Sequence, residues 1–191
     1  MPLEQLTTSI SGGSTPLGAQ YPGKGIPFLR IQNIADGVID LSDIKYISPE
    51  THREMRRSQL RPLDLLMTIT GRVGTCAVVP EDFGDGNINQ HIVRMSVTSE
   101  LDPHYAAEVL NSPAGRLQAE RGVTGTTRIA LDYPTILQIH IPVPPLEKQR
   151  DIAAEVRRRR ERAAALREEA AQVVTEAKAK VERMILGEGE V

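Results

Sequence analysis

The sequence has few of the residues that build disulfide frameworks, metal clusters and aromatic cores. Its 191 residues include one cysteine, Cys76, so neither a disulfide framework nor a cysteine-rich zinc site can form. Tryptophan is absent and aromatic residues make up 3% of the chain, so we predict a core of Ile, Leu and Val. No apolar run approaches the roughly 18 residues that a membrane helix needs. These absences indicate a globular protein, long enough for one ordinary domain plus an extension.

A secretory signal and a strongly basic domain are also missing. The N-terminus has no basic segment followed by an apolar one, so with its single thiol we expect a reducing, cytoplasmic location and no membrane. The net charge is −2: residues 1–145 carry 12 basic and 15 acidic side chains, and the remainder carries 11 and 10. Proteins that bind nucleic acid mainly through phosphates usually have a positive excess. Any DNA binding must therefore depend on local clusters or on a partner.

No constellation of residues indicates catalysis. The four histidines include no pair spaced four residues apart, and no serine lies in a GxSxG motif. The segment 71–74 (GRVG) is too short for a phosphate-binding loop and is followed by a predicted strand, so it indicates a tight hairpin. The order Asp132-Tyr133-Pro134 differs from that of an adenine methyltransferase active site, and the glycine-rich cofactor loop is missing. We predict no catalytic residue, no metal and no cofactor in this chain.

The residue patterns predict a mixed α/β domain of the α+β class with an antiparallel-rich sheet. Asp36-Gly37 is a strong tight-turn signal and predicts a hairpin. Ser48 followed by Pro49 predicts the start of a short helix. For residues 3–11 the pattern leaves strand and helix both open. We predict strands at 26–31, 44–47, 63–70, 75–79, 87–97 and 136–141, and helices at 102–110 and 114–121.

The chain is organised around a long C-terminal helix, predicted from Pro144 to Gly187. We expect a domain over residues 1–143, the helix over 144–187, about 60 Å long, and a tail over 188–191. Apolar positions at steps of three and four predict a coiled coil, with Arg159 in one position of its seam and a register shift after Ala177. The alternative is an amphipathic helix packed on its own domain. The predicted seam consists of Ile152, Val156, Ala163, Leu166, Ala170, Val173, Ala177, Val181 and Met184.

An ordered set of motifs spans nearly the whole chain. The set consists of Gly12-Gly13-Ser14-Thr15-Pro16, Gly25-Ile26-Pro27-Phe28-Leu29-Arg30, Leu63-Asp64-Leu65-Leu66, Gly71-Arg72-Val73-Gly74, Asn89-Gln90, Gly125-Thr126-Thr127 and Ile141-Pro142-Val143-Pro144-Pro145-Leu146-Glu147-Lys148-Gln149. In this order the motifs resemble one half of a DNA specificity subunit of type I restriction–modification enzymes. Two features depart from the family pattern: the chain has a single unit where members usually carry two, and Pro62-Leu63 stands where glycine is common before the aspartate.

The resemblance implies a target recognition domain that reads one half-site in double-stranded DNA, followed by a coiled-coil spacer helix. It further implies docking to modification subunits that methylate adenine N6 with S-adenosylmethionine, and association with a restriction subunit. A single unit either pairs with a second copy through the helix, giving a homodimer, or is a fragment of a longer chain. The alternatives are a coiled-coil adaptor that no longer reads DNA, or the C-terminal recognition part of a larger fused N6-adenine methyltransferase.

The family motifs are mostly structural, so we choose DNA-binding candidates by chemistry. Arginine and lysine in glycine-bounded loops can reach base edges or phosphates, and amides can pair with adenine. A buried amide or a surface ion pair is the alternative for each. The candidates are Lys24, Arg30, Gln32, Asn33, Arg53, Arg56, Arg57, Arg72, Gln90 and Arg128.

Overall fold

The computed structural model describes residues 1–16, 18, 21–122 and 130–187. The chain divides into two units, Met1–Asp151 and Ile152–Val191. This division lies eight residues after the predicted domain boundary at 143/144, because the first turns of the long helix belong to the first unit. No helix in the described part of the chain is long and apolar enough to cross a lipid bilayer.

An antiparallel four-stranded sheet in the order β1-β9-β6-β7 lies at the centre of the first unit. β1 follows a one-turn helix α1, so the segment left open by its sequence contains both elements. β6 and β7 are buried along their whole length, as their continuous apolar sequences indicate. The bounds are α1 Leu3–Leu6, β1 Thr7–Gly12, β6 Leu65–Thr68, β7 Cys76–Val78 and β9 Ile92–Val97.

A second sheet in the order β5-β2-β8 lies beside the first, and β2 pairs with β8 in parallel. The predicted hairpin at Asp36-Gly37 is present as β3 and β4, and Gly37 has the positive φ of 75° that this turn requires. The α+β class with an antiparallel-rich sheet is confirmed. The bounds are β2 Ile26–Leu29, β3 Ile34–Ala35, β4 Val38–Ile39, β5 Lys45–Ile47 and β8 Asn87–Ile88.

The strand predicted over 87–97 is in fact two strands in different sheets. β8 ends at Ile88 and β9 begins at Ile92. Between them the Asn89 side chain accepts a hydrogen bond from the His91 backbone N–H at 3.1 Å, which closes a local turn. The prediction was wrong because the apolar alternation continues across the point where the chain changes sheets.

The strand predicted over 136–141 is also wrong. Tyr133–Leu137 forms helix α5, and the Asp132 carboxylate caps it by accepting from the Thr135 N–H at 2.9 Å. The cap and the proline in the first turn outweigh the apolar alternation. Only His140 forms a β-bridge, with Pro2.

Three further helices cover the first unit. Ser48 caps α2 as predicted, and Asp102 and Ser112 cap α3 and α4. Asn111 at the end of α3 bonds both backbone groups of Cys76 in β7, each at 2.9 Å, which fastens this helix to the sheet. The bounds are α2 Pro49–Glu54, α3 Pro103–Asn111 and α4 Pro113–Arg121.

The core between the two sheets is aliphatic, as predicted. Leu29, Ile34, Leu66, Ile88 and Ile92 are fully buried in one cluster. Burying each such side chain stabilises the fold by about 1.5–3 kcal/mol. The cluster therefore joins β2, β6, β8 and β9 and fixes the loops that follow them.

The long helix α6 runs from Leu146 to Leu186 and ends before Gly187, whose φ of 74° allows the left-handed stop. The predicted helix is thus present. Pro145 lies just before the first helical residue, and its carbonyl accepts from the Gln149 N–H at 3.1 Å. Gln149 is the one buried side chain of the described helix.

Candidate nucleic-acid interface

Three segments meet at one end of the four-stranded sheet. They are residues 13–15 after β1, 69–75 between β6 and β7, and 89–91 before β9, which we call the loop end. Backbone hydrogen bonds hold them together: the Gly13 N–H donates to Ile92 at 3.0 Å, and the Ile69 N–H donates to His91 at 2.9 Å. The loop end is therefore a rigid platform on which side chains from distant parts of the sequence lie close together.

The loop end depends on a glycine that lets two segments touch. A Cβ built on Gly13 would lie 2.1 Å from the carbonyl oxygen of Asn89 and 2.2 Å from that of Ile88. These are backbone atoms, which cannot move aside without disrupting the turn. The glycine of this motif is thus required for a close backbone approach.

Gln90 lies at the centre of the loop end and is exposed. Its Oε1 accepts a hydrogen bond from the Thr15 hydroxyl, and its Nε2 lies 3.2 Å from His91 Nε2. His91 Nδ1 in turn lies 2.8 Å from the Thr70 hydroxyl. Four side chains thus form a continuous hydrogen-bonded row, in which only Gln90 was a sequence candidate.

Thr15, Thr70 and His91 were missed because nothing local in the sequence connects them. Thr15 is 75 residues from Gln90, and Thr70 is 21 residues from His91. The sequence favoured a structural role for each histidine, since no metal-ligand spacing surrounds it. The useful signal was adjacency: His91 directly follows an amide that the chemistry had already selected.

Arg72 follows Gly71, where an added Cβ would come within 3.0 Å of the Ile31 side chain, so the turn that carries Gln32 lies beside Gly71. The Arg72 side chain is 61% exposed, and its Nη2 lies 3.7 Å from Asp36. Arg116 also binds Asp36, so one carboxylate is shared by two guanidinium groups. Arg72 therefore keeps the freedom to reach a ligand.

Arg30 is held inside an ion-pair cluster. Its Nη2 lies 2.9 Å from Asp43, and Gln32, with its amide oxygen turned toward Arg30, accepts from both guanidinium nitrogens. Hydrogen bonds from Lys45 and Arg30 lower the pKa of the Asp43 carboxyl, so the carboxylate persists into acid. Arg30 thus orients Gln32, which is the exposed member of the pair.

Asn33 is not available to a base edge. Its side chain is 1% exposed, its Oδ1 accepts from the Arg30 N–H at 2.9 Å, and its Nδ2 donates to Asp40 at 2.8 Å. Both ends of the amide therefore close the turn before β3. This is the buried-amide alternative that the sequence had left open, and we remove Asn33 from the candidate interface.

Of the candidate arginines Arg53, Arg56 and Arg57, which we call the arginine cluster, only Arg53 forms an ion pair with a described residue. Arg53 pairs with Glu50 at 2.9 Å on the surface of α2. Arg56 and Arg57 lie in a 3₁₀ turn, and no described residue pairs with either guanidinium group. The Ser11 hydroxyl donates to the Arg57 carbonyl at 2.8 Å, which places this turn beside the end of β1 that leads to the loop end.

Two candidates remain apart from this cluster. Lys24 is exposed in the loop before β2, and no described residue pairs with its ammonium group. Arg128, with the motif at 125–127, lies outside the described residues. Ala130 forms a β-bridge with Thr70, so it adjoins the loop end.

The described residues contain no group of three or more His, Cys, Asp or Glu side chains that could hold a metal ion. Cys76 is fully buried, and burial raises the pKa of its thiol well above the ordinary value. A thiol kept protonated is a poor nucleophile, so Cys76 serves packing.

The predicted seam of α6 presents apolar side chains to solvent. Within the second unit, Leu166 is 47% exposed, Val173 59%, Val181 54% and Met184 60%. Isolated helices of this composition are marginal in water, so burial against a partner is what would stabilise this face.

A family model and a curated relative both relate this chain to the same protein family. The family model of the type I restriction modification DNA specificity domain matches residues 2–161. The EcoBI type I restriction enzyme specificity subunit from Escherichia coli is 29% identical over 160 residues, which cover 80% of this chain and 34% of that protein.

Solved structures share the fold. The HsdS subunit from Thermoanaerobacter tengcongensis matches 100% of this chain and 45% of its own, with a TM-score of 0.63 and 22% identity. The S subunit from M. genitalium matches 95% of this chain and 43% of its own, with a TM-score of 0.60 and 15% identity. The chain thus spans about a third to less than half the length of these relatives.

Proposed function

This chain belongs to the type I restriction modification DNA specificity family, and from that premise we propose that it is a DNA-reading subunit. In this proposal the first unit reads one half-site of double-stranded DNA through the loop end. The observation that supports it best is that the segments of Gln90 and Arg72 meet at the loop end, with the turn that carries Gln32 beside Gly71. Glutamine pairs with adenine edges and arginine with guanine, so these types suit the major groove.

The flanking cations supply the sequence-independent part of the proposed binding. Arg56 and Arg57 would neutralise phosphates along the side of β1, while Lys24 would do so from its loop. Residues 1–145 nevertheless carry 15 acidic and 12 basic side chains, so these cations act against a slightly negative background. We therefore expect weak binding by the chain alone and stronger binding in a complex.

In this proposal the chain itself is not catalytic, and its partner subunits carry out the chemistry. An N6-adenine methyltransferase subunit that holds S-adenosylmethionine would carry out the modification, and a restriction subunit would join the same assembly. We expect the assembly to work in the cytoplasm, where the target DNA is accessible. The long helix would dock these subunits.

The long helix would also pair with a second copy of the chain. The relatives are more than twice as long, so two copies would supply the two reading units that one relative carries in a single chain. A two-fold pair would suit a palindromic bipartite site. At about 60 Å, the helix is nearly two turns of B-DNA long, a suitable length for a spacer.

The test is to co-express the chain with an N6-adenine methyltransferase subunit of a type I system from the same genome, in a host without adenine methylation. Mapping of N6-methyladenine should then show one bipartite motif. Methylation of unrelated sequences at equal rates would contradict the proposal.

The second candidate function is a coiled-coil adaptor that no longer reads DNA. Residues 1–145 carry 15 acidic and 12 basic side chains, and this net negative charge favours the adaptor function. It predicts unchanged methylation after the combined change Arg72→Ala and Gln90→Ala, whereas the reading function predicts loss of the motif. The C-terminal recognition part of a fused methyltransferase is distinguished by its gene, which would then encode a catalytic domain upstream of this segment.

A further inference from the structure

The row Thr15–Gln90–His91–Thr70 has a defined direction. An amide nitrogen can only donate, so Gln90 Nε2, at 3.2 Å, donates to His91 Nε2. A neutral imidazole that accepts at Nε2 carries its proton on Nδ1. His91 Nδ1 therefore donates to the Thr70 hydroxyl at 2.8 Å. The Gln90 amide thus sets the tautomer of the histidine, and the Thr70 hydroxyl, by accepting from Nδ1, holds the imidazole ring against the amide.

The other end of the amide is fixed as well. The Thr15 hydroxyl donates to Gln90 Oε1, so the oxygen and the nitrogen are held on opposite sides by groups from two different segments. After these bonds, Gln90 retains one N–H and one lone pair of Oε1. That pair of groups is what binds N7 and N6–H of adenine in the major groove.

The backbone of His91 is held by hydrogen bonds that do not involve the row. The His91 N–H donates to Asn89 Oδ1 at 3.1 Å, and the His91 carbonyl accepts from the Ile69 N–H at 2.9 Å. The imidazole is half-buried, whereas Gln90 is exposed. A half-buried ring on a fixed backbone can restrain an exposed amide, and restraint before binding reduces the entropy lost on binding.

We propose that His91 is a positioning residue that holds the Gln90 amide for an adenine edge, with the Thr70 hydroxyl holding the imidazole ring of His91 in place. This inference rests on the proposed DNA-reading function and adds one element to it: the base class read at Gln90 is adenine in an A·T pair. Gln90 touches the base, whereas His91 and Thr70 act through it.

The test compares two replacements of His91 that keep different halves of the ring. In His91→Gln the amide oxygen of the new glutamine can take the place of Nε2 and still accept from Gln90. In His91→Asn the shorter side chain reaches only the position of Nδ1, beside Thr70, and leaves Gln90 without an acceptor. The full chain and each variant, with the modification subunit, select from duplexes randomised over the site. Thr70→Val removes the hydroxyl at constant shape. Thr8→Val and His104→Asn are controls, because Thr8 bonds Ser96 near the start of β1 and His104 is exposed on α3.

We expect the wild-type chain to prefer adenine at one position, and His91→Asn and Thr70→Val to reduce that preference about tenfold while other positions stay unchanged. His91→Gln should retain it, and both controls should match wild type. Unchanged preference in His91→Asn, or an equal loss of affinity on all sequences, would overturn the inference.

The outcomes also separate the inference from the function beneath it. The wild-type chain could select a motif in which Gln90→Ala abolishes no preference for adenine at any position. That result would overturn the inference but leave the proposed function standing. Selection of no motif by wild type would overturn the proposed function and the inference together. Circular dichroism melting of each variant identifies any that fail to fold, and Gln90→Ala, which alters an exposed side chain, then tests the same base position.

Discussion

The side chain of Gln149 binds the backbone of Asp102, 47 residues away: Oε1 accepts from the Asp102 N–H at 2.8 Å. Its Nε2 donates to the carbonyls of Glu100 at 2.9 Å and Pro144 at 2.8 Å. The amide is fully buried. This explains the glutamine of the Pro-Pro-Leu-x-x-Gln motif, because only a primary amide offers one acceptor and two donors in this arrangement.

We predict that Gln149→Ala lowers the free energy of unfolding of the chain by about 3 kcal/mol, since three hydrogen bonds of about 1 kcal/mol each are lost. Gln172→Ala is the matched control, because the Gln172 amide bonds only exposed Glu176 on the same helix. Urea unfolding followed by circular dichroism measures both. Equal midpoints for the two variants would contradict the role of Gln149.

Gly13→Ala tests the close approach at the loop end. The added methyl would overlap the carbonyl oxygens of Ile88 and Asn89, so we expect a loss of about 1–3 kcal/mol in stability. Gly23→Ala is the control, because nothing lies within 4 Å of a Cβ at Gly23. A melting temperature of Gly13→Ala equal to that of Gly23→Ala would show that the turn accommodates a side chain.

Helices and turns that are specified by neighbouring residues could be predicted from the sequence. The hairpin at Asp36-Gly37, the cap at Ser48 and the helix stop at Gly187 each depend on residues within one turn of the chain. The two wrong strand predictions both relied on alternating apolar and polar residues. Residues 87–97 form strands in two different sheets, and the strand predicted at 136–141 overlaps the capped helix at 133–137. Alternation reports which side chains are buried, and a chain can keep that pattern while it changes sheets or turns helical.

The site was less accessible to prediction because it is built from long-range contacts. Gln90, Arg72 and Gln32 were selected by side-chain chemistry, and the structure brings them to neighbouring loops. Asn33 had the same chemistry, but its burial could not be predicted from its position beside Gln32. The DNA contacts themselves stay predictions.

A buried ion pair next to β6 gives a stability prediction. Asp64 is 2% exposed and accepts from Arg94 at 3.2 Å, from Ser96 at 2.8 Å and from the Arg61 N–H at 2.9 Å. Asp64→Ala would leave a buried guanidinium without its anion, which costs about 3–5 kcal/mol. Arg53→Ala removes an exposed pair and should leave the denaturation midpoint unchanged within error. A small effect of Asp64→Ala would mean that water reaches Arg94.

Arg57 gives a prediction about salt dependence. If its guanidinium contacts one phosphate, Arg57→Gln should weaken binding equally on all duplexes and reduce the slope of log affinity against log salt by about 0.9. Arg53→Gln is the control, because Glu50 already pairs with Arg53. Fluorescence anisotropy at a series of salt concentrations measures the slope. A change of base preference in Arg57→Gln would instead place Arg57 in the groove.

The exposed apolar side chains of α6 include Val174 and Ile185, which the seven-residue seam omits. Ala163, Val174 and Ile185 are spaced by 11 residues, and the same spacing relates Ala170 to Val181. An 11-residue repeat corresponds to about 3.67 residues per turn, which would give a nearly straight or slightly right-handed pair if two such helices associate. In such a pair the four-residue step after Ala177 would need no break in the seam.

Pairing of two copies through this face gives the last prediction. Ile185→Asp would place two carboxylates in a two-fold interface, since each copy contributes one. Loss of two buried apolar side chains, at about 1.5–3 kcal/mol each, raises the dimer dissociation constant at least a hundredfold. Ala179→Asp adds the same charge to the opposite face of the helix and should leave the dimer intact. Light scattering over a range of concentrations measures both, and a wild-type chain that stays monomeric at high concentration would contradict pairing of two copies through this face.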